Sequence, residues 1–120
     1  HDRYLVIANA GVLAPLGPDV LKITATGDFI QNGPDGVALI NTATTTLVDA
    51  LSYGGTVSMA HNQGFSAAVN LVEGARFTSS DTGDDTTSRS RGPNGADTGD
   101  AAADWRLTTQ KTPGAANPAP

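Results

Sequence analysis

A chain of 120 residues holds one core, and this one has little to build it with: 24 positions are Leu, Ile, Val or Phe, and much of the 38% hydrophobic content is Ala. A net charge of −5 with seven scattered Lys and Arg residues argues against a generic electrostatic grip on nucleic acid, which needs clustered cations to displace counterions from phosphate. The absence of cysteine removes disulfide frameworks, CxxC redox pairs and thiolate zinc sites, and no run approaches the roughly 20 apolar residues of a membrane span.

Residues 3–9 (RYLVIAN) form a continuous apolar run stopped by Asn-Ala-Gly, the pattern of a central strand buried on both faces. No basic-then-apolar leader precedes it, so the beginning at His1-Asp2-Arg3 reads as an internal start, from a processed or excised chain. Pro15 and Pro18 make residues 14–18 a loop or a single helical turn. Partial alternation over 19–24 (DVLKIT) predicts a short strand. Residues 27–33 (GDFIQNG) are a turn carrying Phe29 and Ile30, of which at least one is expected to point inward.

Residues 34–55 (PDGVALINTATTTLVDALSYGG) are the most legible stretch. Val37 and Leu39 share one face of a first strand. In a second strand Leu47, Asp49 and Leu51 alternate with Val48, Ala50 and Ser52. Turn chemistry at Pro34-Asp35-Gly36 and Gly54-Gly55 bounds the pair, so a β-hairpin is predicted. Its turn, residues 42–45, contains no glycine and leaves the turn type open.

Beyond it, Phe65, Val69 and Val72 could line a short helix between Gly64 and Gly74. Residues 74–80 (GARFTSS) read as a last core strand, 81–85 as a polar loop, 86–91 as a polar edge strand and 92–95 (GPNG) as a turn. Residues 104–108 (DWRLT) predict a closing strand with Trp105 and Leu107 on one face. No large apolar residue occurs between Thr78 and Asp104, which places the last third mostly at the surface. The division is thus one domain over 1–110 and a Pro/Ala-rich tail or linker over 111–120. Short strands separated by turn signals predict an all-β fold, a sandwich and not a βαβ unit.

In their order, residues 31–39 (QNGPDGVAL) and 47–54 (LVDALSYG), then Ser88-Arg89 through Gly92-Pro93-Asn94-Gly95-Ala96-Asp97-Thr98, then Asp104-Trp105 and 112–117 (TPGAAN), resemble a lamin-tail domain of the kind found in secreted bacterial proteins. The resemblance spans nearly the whole chain. It implies an immunoglobulin-like β-sandwich without enzymatic activity, acting outside the cell or at its surface. Such a domain is an accessory module that binds a protein or cell-surface ligand while a catalytic domain elsewhere in the parent chain does the chemistry. The family's opening strands, an Ile-Asn-Glu start and a Glu-Leu-Tyr-Asn segment, have no counterpart here; His1-Asp2-Arg3-Tyr4 corresponds to a point partway into the domain. Either those strands lie upstream or the domain is truncated, and a truncated sandwich would expose a sheet edge that favours self-association.

Three sets of residues carry candidate chemistry. Asp81, Asp84, Asp85, Asp97, Asp100 and Asp104 supply oxygen ligands of the type calcium takes, among glycines that allow tight loops, but without DxDxDG spacing; Asx-turns and solvated loops account for them more simply. A calcium-dependent adhesion module is therefore the alternative to a plain binding module. His61 with Ser58 or Ser66 could suggest a hydrolase fragment, yet no GxSxG elbow accompanies them. Tyr53 and Trp105 could form a binding surface, although a lone Trp in a sparse core is more simply its largest packing element. Asp49, inside a strand, is expected either to point outward, the simpler reading, or to pair with Arg89 or Arg91.

Overall fold

The computed structural model of the chain describes residues 3–61, 64–79 and 86–117. They form a small β-rich domain with two single helical turns. In chain order these are β1 (Leu5–Ala8), α1 (Ala10–Leu13), β2 (Leu21–Thr24), β3 (Asp35–Asn41), β4 (Thr46–Tyr53), β5 (Ser88–Arg91), α2 (Ala101–Asp104) and β6 (Trp105–Thr108). Among the described residues the strands pair as three two-stranded sheets, β1 with β2, β3 with β4 and β5 with β6, and no barrel closes.

Asn9 ends β1 and starts α1: its Oδ1 accepts from Val12 N at 3.1 Å, satisfying one of the amides a helix start leaves without a partner. The turn stops at Ala14 because Pro15 follows and cannot donate a backbone bond. The helical turn therefore precedes the prolines. The chain returns as β2, parallel to β1 with Leu5 opposite Leu21 and Ile7 opposite Ile23. The expectation of a central strand buried on both faces is overturned. Among the described residues β1 has one neighbour, and no layer covers the row formed by Leu5 (53% exposed), Ile7 (47%), Leu21 (49%) and Ile23 (51%). Phe29 and Ile30 are likewise more than half exposed, so neither points into the core.

The hairpin is present as read, antiparallel from Asp35 opposite Tyr53 to Asn41 opposite Thr46, with a register shift between Leu39 and Ile40. Asn41 Oδ1 accepts from Ala43 N and Thr44 N, which starts the turn. Thr45 completes it at φ 52°, a conformation β-branched residues seldom adopt. At the open end the backbones of Gly33 and Gly54 nearly touch: a Cβ on Gly33 would lie 2.6 Å from Gly54 Cα.

Residues 57–72 are not helical where described. Ala60 and Val69 exchange backbone hydrogen bonds at 2.9 Å, and Leu71 N donates to Val57 O at 3.0 Å. Gly64, at φ 95°, sets a left-handed bend between them that a helix could not pass through. Residues 74–79 form no strand either. The carbonyls of Glu73 and Ala75 accept from Ala101 N and Ala102 N instead, holding α2 against this segment. Phe77 nevertheless enters the core, with Leu51, Tyr53 and Ala101 and with Trp105 and Leu107 packed against them. The loop expected at 81–85 lies outside the described residues.

β5 and β6 pair antiparallel, Arg91 opposite Trp105, and a turn follows β5 with Ala96 N bonded to Pro93 O. The stretch between them is less superficial than its composition suggests. Ala101 and Asp104 are buried, because a side chain as small as Ala lets the helical turn sit directly on Phe77 and Tyr53. Residues 112–117 fold back on the domain. Asn117 N donates to Asn94 Oδ1 and Asn117 Nδ2 to Arg91 O, both at 2.9 Å.

Candidate functional site

Strand alternation puts Val37 and Leu39 of β3 on the same face as Asp49, Leu51 and Tyr53 of β4. The core packs over Leu51 and Tyr53 and leaves Val37 and Leu39 half exposed. The result is an open groove of about 490 Å³ whose walls also include Ile30, Arg89 and Trp105.

The edge of β3 beside this groove is unpaired. Ala50 N donates to Glu73 Oε1 at 3.2 Å, so its pair with Ala38 is of the non-hydrogen-bonded kind, and Ala38 must direct its own N–H and C=O away from β4. Gly36, two residues earlier, directs its N–H to its neighbour Asp35 Oδ1. Neither amide has a partner strand among the described residues. A row of such groups is a template for a further strand.

One end of the groove is charged. The Arg91 guanidinium, 11% exposed, lies 2.7 Å from Asp49 Oδ1, 3.5 Å from Glu73 Oε2 and 3.6 Å from Asp97 Oδ2, and its Cζ is 5.1 Å from the Trp105 ring centre. Asp49 therefore does not simply point outward; it takes the pairing, since a partly buried carboxylate keeps its charge most easily against a guanidinium. Burial pushes the Glu73 carboxyl up from its ordinary value, opposed by the Ala50 N–H and reinforced by the negative Asp49. Arg89 stacks 4.7 Å from the Tyr53 ring centre, and Tyr53 Oη donates to Gln31 O at 2.9 Å. Tyr53 and Trp105 are thus wall and packing at once, Tyr53 buried and Trp105 partly so. Trp105 Nε1 is buried with no acceptor among the described residues.

The acidic loop residues are dispersed into local tasks. Asp97 accepts from Gly99 N and meets Arg91. Asp100 caps α2 by accepting from Ala102 N and Ala103 N. Asp104 is buried and accepts from Thr98 N at 2.8 Å and Thr98 Oγ1 at 2.9 Å, and the Thr98 N–H holds its carboxyl below the usual range. Among the described residues no three His, Asp or Glu side chains converge as a metal site would require; Asp81, Asp84 and Asp85 lie outside them. His61, Ser58 and Ser66 are exposed, and no hydrogen bond joins them among the described residues.

Sequence reasoning singled out Tyr53, Trp105 and Asp49 but missed Ile30, Val37 and Leu39 as groove residues. Their spacing is that of an ordinary core-facing row, and nothing local tells that the row is left partly uncovered. Compared with protein-family models, curated proteins and solved structures, the chain matches none.

Proposed function

We propose that the chain is a non-catalytic binding module of lamin-tail type, an immunoglobulin-like sandwich carried by a larger secreted or surface bacterial protein, whose groove and adjoining strand edge receive protein. The observation that supports this reading most is the union of an apolar groove with the unpaired edge of β3. An added strand gains main-chain hydrogen bonds from such an edge and side-chain burial from such a groove. Catalysis belongs, in this reading, to the parent chain.

Three measurements test it. The isolated chain is expected to turn over neither nuclease nor phosphatase substrates; turnover that disappears in His61→Ala would overturn the proposal. An amphipathic dye such as anilinonaphthalene sulfonate is expected to bind, and Leu39→Lys to weaken that binding with the fold intact; a dye response unchanged in Leu39→Lys counts against the groove. Millimolar calcium is expected to leave Tm unchanged, because the carboxylates of Asp97, Asp100 and Asp104 are already engaged within their own loops. A rise of several degrees would favour the calcium-dependent adhesion module instead.

A further inference from the structure

We propose that the chain forms a closed pair in which β1 of one copy adds to the unpaired edge of β3 in the other. The inference rests on reading the groove as a protein-binding surface and names its occupant.

A two-stranded parallel sheet with an open face is an unstable arrangement, since parallel strands are normally buried on both sides. β1 is such a strand: it bonds to β2 along one edge and has no backbone partner along the other among the described residues. Among the described residues β3 is in the same position, paired with β4 alone. Joining the two edges satisfies both and makes a four-stranded sheet in the order β2, β1, β3, β4.

The side chains agree with this pairing. On the open face of β1 alternation places Arg3, Leu5 and Ile7; on the groove face of β3 it places Asp35, Val37 and Leu39. A parallel alignment sets Arg3 beside Asp35, Leu5 beside Val37 and Ile7 beside Leu39. Charge is complementary at larger range as well. Residues 3–24 carry Arg3 and Lys22 against Asp19, whereas residues 25–55 carry Asp28, Asp35 and Asp49 and no Lys or Arg. Two copies with a net charge of −5 each repel on average, so an interface that sets a net positive segment on a negative one lowers that cost.

Apolar rows meet along the seam. Leu5, Ile7, Val37 and Leu39 are each about half exposed, and the alignment joins them as cross-strand neighbours on one face. Every copy carries both β1 and β3, so a two-fold arrangement makes the contact twice and closes the pair, whereas a head-to-tail repeat of it would propagate.

Sedimentation or light scattering on the 120-residue chain tests this. At about 10–100 µM the expected mass is twice the 12.1 kDa of one chain. Ile7→Lys and Val37→Lys are each expected to give 12.1 kDa with an unchanged circular dichroism spectrum, since both positions are half exposed within one copy. Arg3→Asp and Asp35→Arg are each expected to weaken the pair about fivefold or more, and the double variant to restore it to within about twofold. A single-chain mass throughout that range, a pair indifferent to Ile7→Lys and Val37→Lys, or masses that climb without limit would each overturn the proposal. Failure here leaves the binding-module reading standing, because that reading falls on turnover, which the mass does not report.

Discussion

At Thr45 the backbone adopts φ 52°, in a turn whose sequence offers three threonines and no glycine. A left-handed β-branched residue is strained by about 1–2 kcal/mol, and glycine relieves the strain at an entropic cost somewhat smaller than that. Thr45→Gly is therefore expected to raise Tm by a few degrees, a gain of up to about 1 kcal/mol in denaturant unfolding. A loss would mean that the Thr45 Oγ1 bond to Thr44 O matters more than the strain. Glu73 carries a pH-dependent consequence. Its carboxyl is raised in the folded state above the ordinary 4.5, chiefly by burial, so the native state holds that proton more tightly than the unfolded chain does. The associated stability is complete below about pH 4.5 and is lost as pH rises through the folded value. Glu73→Gln keeps an oxygen for Ala50 N, leaves Arg91 its bonds to Asp49 and Asp97 and carries no charge. Its Tm is expected to exceed the parent's at pH 7, with the difference closing below pH 4.5; melts across pH 3.5–8 check both sign and window. The same cluster marks how far single residues could be read. From sequence Asp49 could point outward or pair with Arg89 or Arg91, and only the tertiary packing that brings the Arg91 guanidinium to 2.7 Å from its Oδ1 decides among these.

Among the elements, those with a strong local signature were legible. The hairpin, β2, the GPNG turn and the Trp105 strand all rest on turn residues or alternation that act within ten residues. The others needed tertiary information. Residues 3–9 read as a central strand because they are uniformly apolar, yet burial depends on a second neighbour and a covering layer that sequence does not specify. Residues 57–72 offered a helical spacing of Phe65, Val69 and Val72, and the Ala60 to Val69 bridge around Gly64 overrode it. Phe77 was correctly expected in the core, but the backbone around it serves α2 instead of a sheet. The hairpin's own closure gives the prediction at this scale. Gly33 meets the Tyr53 carbonyl oxygen and Gly54 Cα so closely that a methyl group has no space, and the obstructing atoms are all backbone. Gly33→Ala should thus cost about 1–3 kcal/mol, whereas Gly27→Ala, where a Cβ meets nothing within 4 Å, pays only for its positive φ. Urea unfolding of the two variants separates a packing collision from backbone preference; equal losses would show that the close approach at Gly33 is not what fixes the hairpin.

Over the whole molecule, the end of the chain lies where the β1–β2 unit meets the rest. Asn94 Nδ2 reaches Tyr4 Oη at 3.5 Å, Asn117 holds Asn94 Oδ1 and Arg91 O, and Gly114, at φ 74°, lies so close to Val20 that a Cβ would come within 2.8 Å of its Cγ2 and 3.7 Å of Leu16 Cδ1. Composition reads residues 112–120 as a tail or linker that builds no core, and of these 112–117 are described. It gives no sign that they dock, because docking here depends on two amide side chains and one glycine and not on apolar content. The candidate groove was illegible for the complementary reason: Val37 and Leu39 have the spacing of core residues, and only the arrangement of the whole chain leaves them uncovered. If residues 112–117 act as the fastener, a chain ended after Lys111 should unfold in part, not as a whole. Amide hydrogen exchange in β1 and β2 is expected to speed up about tenfold or more, while β3 and β4, held by the Leu51, Tyr53 and Phe77 core, keep their protection. Asn117→Ala should give a weaker version of the same pattern, since it removes the Nδ2 bond to Arg91 O but keeps the backbone bond to Asn94. Equal acceleration in every strand would instead make the end of the chain a general support of the fold, and no acceleration in β1 would leave Leu16 and Val20 packed without it.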